Sequence, residues 1–491
     1  PGGSLQIDTG VTVQGYGSFY DYYTSSLTNN GILVANTNGQ TLSFNNSTTA
    51  NNGTMNVTAG TLSLNGTTFA NSAAAILNVG GGTLNISPNG AAAPNWSNSG
   101  LINVGSGTLN LGGTFTVADL NGVTRFTRSG GTVNLSGKLD NAANVLDVGS
   151  AGLFGTGGLN SLAGTILGGT VISSDVTPLL SSNYGTLDGV VLGDATHLSL
   201  AVNGNTYISN GLTMADGASI SKDASTWYFG TTGLQHIGIA GGTGTATLTM
   251  TGGGIYAGYT PGGSLQIDAG MTVQGYGSFY DYYTSSLINN GTLIGNTAGQ
   301  GLYLYNATTT NNGTINVTAG ALNIFGSNVM NSLGATIDVS AGSALDLRPS
   351  ATFTNDGTLT LGGATHTIGS TNTAWSNTGS IAINSGILNL GGQLTSAELN
   401  PLNYSRQAGT TVNLAGTYTN TGLTLDLGSA GLFGPGGLSS LTGTILGGTV
   451  ISSDATPLLT SNYGTLDGVV LGDVTHLSLT VNGNLYLYNG L

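Results

Sequence analysis

The sequence predicts an all-β chain: a right-handed parallel β-helix (β-solenoid) with coils of about 19–24 residues and no α-helix. Three observations lead there. The composition lacks the residues that clothe helices, two long stretches repeat almost unchanged, and a short apolar rhythm recurs inside each of them.

The composition comes first. Of 491 residues, 85 are Gly and only 9 Pro, and charged residues make up 5%, against about 25% in an ordinary soluble domain. The 20 acids are 19 Asp and a single Glu, Glu398, and Lys and Arg total 6, so the formal net charge is −14. Exposed helix faces are built from Lys, Arg, Glu and Gln; here Gly, Asn and Thr take their place, and these favour turns and strands. Apolar residues make up 39% and are spread along the chain, which argues against long-range disorder. Six scattered basic residues cannot neutralise a run of phosphates, so nucleic acid is not an expected partner. The chain has no cysteine, which removes disulfides and thiolate chemistry. No apolar stretch approaches the ~18–20 residues that a membrane helix needs.

The long repeat is the second observation. Residues 1–31 recur at 261–291 with three changes, Thr9/Ala269, Val11/Met271 and Thr28/Ile288. Residues 146–175 recur at 425–454, so the offset has grown from 260 to 279. The 19 residues gained fall near 331–355, the size of one short unit. The expected organisation is a first long repeat, 1–260, and a second, 261–491, with one extra coil, forming one continuous solenoid. About 24 coils stacked at about 4.8 Å make a rod on the order of 110 Å long. Neither end shows the polar, atypical cap of a terminal repeat, and both ends are expected to stack onto further repeats or an identical neighbour.

The short rhythm is the third. Asn29, Asn51, Asn71 and Asn98, and then Asn289, Asn311, Asn331, Asn355 and Asn377, mark units of 20 to 27 residues. After most of them apolar residues follow at steps of two, five and two, as in Met55, Val57, Leu62, Leu64 and Ile315, Val317, Leu322, Ile324. A step of two keeps side chains on one face of a strand, and the five-residue step crosses a Gly-containing turn. Stacked coils then put Leu, Ile and Val in inward ladders, and Asn repeated at one corner can bond amide to amide along the stack. Like charges would stack on like, which accounts for their scarcity.

The stretches NNGTMNVTAGTLSLNG (51–66), NSGLINVGSGTLNLGG (98–113), GTVNLSG (131–137) and GTILGGTV (164–171) resemble repeats of large bacterial surface proteins. These are the filamentous-haemagglutinin-like adhesins, the passenger regions of autotransporters and giant tandem-repeat exoproteins. The resemblance implies a β-helix outside the cell or on its surface, and it carries over no functional residue.

An enzyme acting on polysaccharide would need clustered carboxylates with a nearby base. The best set is Asp175, Asp188, Asp194 and His197, which returns as Asp454, Asp467, Asp473 and His476. The surrounding 62 residues, 146–207, differ from their copy at only nine positions, so that return reflects duplication. At the offset of 279 no basic residue keeps its type: Arg128 stands opposite Gln407, and Arg406 opposite Thr127. These Asp residues read as corner residues, and no catalytic residue, cofactor or metal ligand is expected. Asp21, Asp140 and Asp147 are the candidates weighed for weak calcium binding, but the calcium-binding β-roll nonapeptide is absent. His236 and His366 are isolated. Thr243, Thr245, Thr247, Thr249 and Thr251 alternate as on an ice-binding face, but neighbouring units do not repeat them.

One segment stands apart. Tyr16, Phe19, Tyr20, Tyr22 and Tyr23 recur as Tyr276, Phe279, Tyr280, Tyr282 and Tyr283. So many rings cannot all enter a narrow core, and the outward ones are expected at a lateral contact between rods or with a glycan. The expected function is a structural segment of a secreted extracellular fibre or stalk, stacked head-to-tail. The alternatives are an adhesin rod that binds glycans or surfaces and, remotely, a polysaccharide-acting β-helix enzyme.

Overall fold

The computed structural model describes every residue except Pro1, Tyr22, Val123 and Leu491, and the side chains of Ser340 and Ala341 are also left aside. The chain is all-β, with 56% of it in strands that stack in parallel as about 22 turns of a β-solenoid. Among the described residues the only helical turns are two three-residue 3-10 segments, Val117–Asp119 and Ala240–Gly242. The turn count falls short of the 24 expected because residues 148–160 and 427–439 form side loops without strands, adding length but no coil. Contacts divide the chain into two units, Pro1–Tyr228 with Gly238–Ala246, and Phe229–Ile237 with Thr247–Leu491.

In the first unit a representative coil consists of Thr68–Asn71, Ile76–Val79 and Thr83–Ile86. Each strand pairs in parallel with its equivalents one coil before and one coil after, as in Leu62↔Leu84↔Leu109 and Met55↔Leu77↔Ile102. The burial of these strands follows from the two-residue period: Met55, Val57, Leu62 and Leu64 are at most 1% exposed, and the residues between them, apart from the buried Ser63, are at least partly exposed. In strand Thr54–Leu64 the five-residue step is a bend at Gly60, whose φ of 65° favours glycine. A Cβ there would lie 2.2 Å from the Thr37 carbonyl oxygen of the preceding coil.

The second unit is built alike and contains the added residues. Strands Thr352–Asn355 and Thr358–Ile368 form a coil in register with both neighbours, giving Val329↔Phe353↔Trp375 and Ile337↔Leu359↔Ile381. Leu345, Leu347, Leu359 and Leu361 are all buried, so the core is continuous through it, with the buried His366 taking one ladder position between Leu345 and Leu388.

The Asn corner is a buried amide ladder in both units. Nδ2 of Asn29 donates to Oδ1 of Asn51 at 2.8 Å, Asn51 to Asn71 at 2.8 Å, and Asn71 to Asn98 at 2.7 Å. In the second unit the series runs Asn289, Asn311, Asn331, Asn355, Asn377 at 2.7–2.9 Å. Most of these amides also donate their second hydrogen to a carbonyl of the next coil, as Asn311 does to Thr336 O at 3.0 Å. Each ladder ends where the pattern breaks, Asn98 on the Asp119 carbonyl and Asn377 on that of Glu398. The single Glu of the chain thus occupies the place of Asp119.

Candidate functional site

Chemistry-bearing side chains gather most densely on an outward row of the second unit. Its origin is a set of differences between the long repeats: Ser43, Asn45 and Asn65 of the first become Tyr303, Tyr305 and Phe325 in the second. Because Leu304 pairs with Ile324 and Ile324 with Leu347, the residues that follow them, Tyr305, Phe325 and Arg348, fall in one outward row on successive coils.

The rings stack along this row. Tyr256 lies 5.1 Å from Tyr280 between ring centroids, Tyr280 lies 5.6 Å from Tyr305 with planes 3° apart, and Tyr305 lies 5.6 Å from Phe325. The Arg348 guanidinium covers the far side of Phe325 at 5.5 Å and is paired with the Asp346 carboxylate, its Nε donating to Oδ1 at 2.6 Å. Beside the row, Tyr282 meets Tyr256 edge-on, Tyr259 at a tilt of 50°, and Tyr283 at 4.7 Å. Tyr282 and Tyr283 are 55% and 44% exposed. Burial, reinforced by the neighbouring phenols, raises the pKa of Tyr256 and Tyr305, so both stay protonated at neutral pH.

Of the aromatic residues singled out in the sequence, Phe279 does not belong to a surface contact, and Phe19 is half-buried. Phe279 is fully buried, and both occupy inward ladder positions, Phe19 opposite Phe44 and Phe279 opposite Leu304. Tyr16, Tyr20 and Tyr23 are more than half exposed, Tyr276 and Tyr280 are half-buried, and Tyr22 lies outside the described residues. Tyr256, Tyr259, Tyr303, Tyr305, Phe325 and Arg348 were not singled out. For Tyr303, Tyr305 and Phe325 the signal was present as aromatic-for-polar differences from Ser43, Asn45 and Asn65; Tyr256, Tyr259 and Arg348 had no such signal.

The carboxylates serve the corners. Oδ1 of Asp194 accepts from the amides of Thr196 and His197 and lies 3.0 Å from His197 Nδ1. Burial raises the Asp194 pKa, but these hydrogen bonds outweigh it and bring it down to about 2. In the duplicate, the Thr475 hydroxyl and the Thr475 and His476 amides hold Asp473 well below the usual carboxylate range. Asp175 accepts from the Ser150 amide, with Asp454 doing the same for Ser429, and Asp188 accepts from Asn210, with Asp467 doing the same for Asn489. Asp147 binds the Gly149 and Ser174 amides, and Asp140 binds the Ala142 amide. The Ser25 amide and the Ser47 hydroxyl bring Asp21 down to about 2. Among the described residues no three His, Cys, Asp or Glu side chains converge to hold a metal ion. His236 pairs with Asp268 at 2.8 Å, whereas His366 is fully buried with neither ring nitrogen partnered.

One feature corrects the residue-by-residue alignment. Arg128 and Arg406 are structural equivalents, because a one-residue gap separates them at the offset of 279. Each holds the carbonyls of the following side loop: Arg128 Nη1 donates to Phe154 and Gly158, and Arg406 Nη1 to Phe433 and Gly437. Lys222, only 1% exposed, gives its ammonium to the Asp223 and Ser225 carbonyls. Desolvation there lowers its pKa to about 8, against a smaller opposing pull from Asp223.

Set against known proteins, the chain matches no family model, no curated protein and no solved structure.

Proposed function

We propose that this chain is a non-catalytic structural segment of a bacterial extracellular fibre or stalk at the cell surface, whose coils add end to end. The observation that carries this reading is that the coils are interchangeable: strands pair in parallel register with their equivalents, and the inward ladder positions, from Leu5 opposite Leu27 to Leu487 opposite Leu466, take aliphatic side chains in coil after coil. Stacking one coil on the next stabilises by about 1.5–3 kcal/mol for each such side chain covered, and because each coil contacts only its neighbours, further coils add by the same contact. The composition and the surface-protein resemblance support the same reading.

The test is electron microscopy of the purified chain across a concentration series, alongside a Leu5→Asp/Leu487→Asp variant. Filaments are expected for the native chain and short particles for the variant, with unchanged circular dichroism. A native chain that stays monomeric at every concentration, or a variant that still forms filaments, would overturn the proposal.

A second reading, a rod that binds glycan, is supported by the exposure of Tyr282 and Tyr283. Most ring faces in the stacked row are already spent on one another, which leaves the flanking tyrosines to receive a sugar.

A further inference from the structure

A chain without cysteine cannot staple its coils with disulfides. Yet the second unit brings Tyr256 and Tyr259, Tyr280, Tyr282 and Tyr283, and Tyr305 from successive coils within 4.7–6.1 Å of at least one other member. Phenols are readily oxidised by one electron, and two phenoxyl radicals held together join through the carbons ortho to their oxygens. The requirement is geometric, because ring edges must approach and one ring must be able to turn.

The stacked members fail that requirement. Tyr280 and Tyr305 lie parallel within 3°, face to face, on strand ends that fix their orientation. Tyr259 and Tyr282 meet it. Their centroids are 5.3 Å apart with planes tilted by 50°. Tyr282 is 55% exposed and stands outside the ladders, in the bend between strands Met271–Asp281 and Ser286–Asn289. Tyr259 lies just after strand Ala246–Gly258, anchored by its amide on the Phe229 carbonyl.

We propose that Tyr259 and Tyr282 are a site of oxidative coupling that closes a covalent staple between successive coils, with hydrogen peroxide and a haem peroxidase as oxidant. Each phenol gives up one electron and its hydroxyl proton. The radicals form one carbon–carbon bond, and the hydrogen on each joined carbon moves to the oxygen, restoring both phenols. The two electrons and two protons released reduce one peroxide to two waters. The staple ties residue 259 to residue 282 and acts as a disulfide would, by restricting the unfolded chain. It is independent of whether the coils form a filament.

The full chain, diluted to where it is monomeric, is treated with a haem peroxidase and limiting peroxide, then digested and analysed by mass spectrometry. The expected product is one joined peptide pair containing Tyr259 and Tyr282, lighter by two hydrogens, with a yield independent of protein concentration. Tyr259→Phe and Tyr282→Phe each abolish that pair while leaving circular dichroism unchanged, and the coupled native chain unfolds at higher urea than the untreated one. Coupling instead at Tyr282–Tyr283, Tyr256–Tyr282, Tyr184–Tyr207 or Tyr463–Tyr486, where centroids are 4.7, 5.9, 6.4 and 6.1 Å apart, would overturn the assignment. So would a product whose yield rises with protein concentration, or one that survives Tyr282→Phe.

Discussion

Residues 1–31 and 261–291 carry nearly the same sequence in two environments. Leu265 is fully buried and Leu5 is 47% exposed; Met271 is 1% exposed and Val11 45%; Tyr280 is half-buried and Tyr20 77% exposed. In the second unit, strand Gly263–Ile267 pairs with Gly233–Ile239 on one side and Ser286–Asn289 on the other, whereas among the described residues Ser4–Ile7 pairs with Ser26–Asn29 alone. One coil further along the difference has vanished, for Leu27 and Leu287 are both fully buried. Burial in a solenoid is thus a nearest-coil property: a strand's own pattern sets which residues face inward, and its neighbours set whether that direction is dry.

The same substitution placed in both copies tests this most strongly. In the chain kept dilute enough to be monomeric, Leu265→Ala is expected to cost about 2–5 kcal/mol, as for a large-to-small change in a packed core, and Leu5→Ala less than about 1 kcal/mol. Urea unfolding combined with hydrogen exchange localised to each unit measures the two; equal costs would break the comparison.

The Asn ladder gives the next contrast. Asn51→Ala removes the donor to Asn71 and the acceptor of Asn29, and its expected cost is about 1–3 kcal/mol. Asn29 stands at the ladder's first rung with no donor to its Oδ1, so Asn29→Ala is expected to cost visibly less in the same unfolding experiment.

A smaller, pH-dependent difference separates the units. His366 sits in the second unit's inward ladder between Leu345 and Leu388, where the first stacks Leu84 directly on Leu109. Burial lowers the His366 pKa below 6.5, so the unfolded chain takes up the proton more readily than the folded one. The second unit is then expected to lose stability as pH falls through 6.5 toward the folded pKa, and to be unaffected by this group above it. His366→Leu removes that dependence, which stability measured across pH 5 to 8 would show.

The smallest effect concerns the aromatic row. Phe325→Asn, which restores the residue of the first repeat, is expected to cost about 0.5–1.5 kcal/mol for its one ring pair, with Tyr305. Differential scanning fluorimetry of the variant against the native chain reads this shift, and no change would mean the stack adds nothing beyond its area.

The sequence by itself determined the coil. The steps of two, five and two named Met55, Val57, Leu62 and Leu64 as inward, and the Asn spacing named the buried ladder, because both depend only on backbone periodicity and an identical neighbour. Tertiary structure decided what depends on register between unlike coils. Arg128 and Arg406 proved equivalent across a one-residue gap only because each meets the same loop carbonyls. Phe279 faces inward and Tyr280 outward because the ladder fixes the phase of that strand, which a run of adjacent aromatic residues cannot reveal. Tyr256, Tyr305, Phe325 and Arg348 lie 20 to 25 residues from their nearest partners in the row, and only stacking at the pitch of one coil brings those rings within contact.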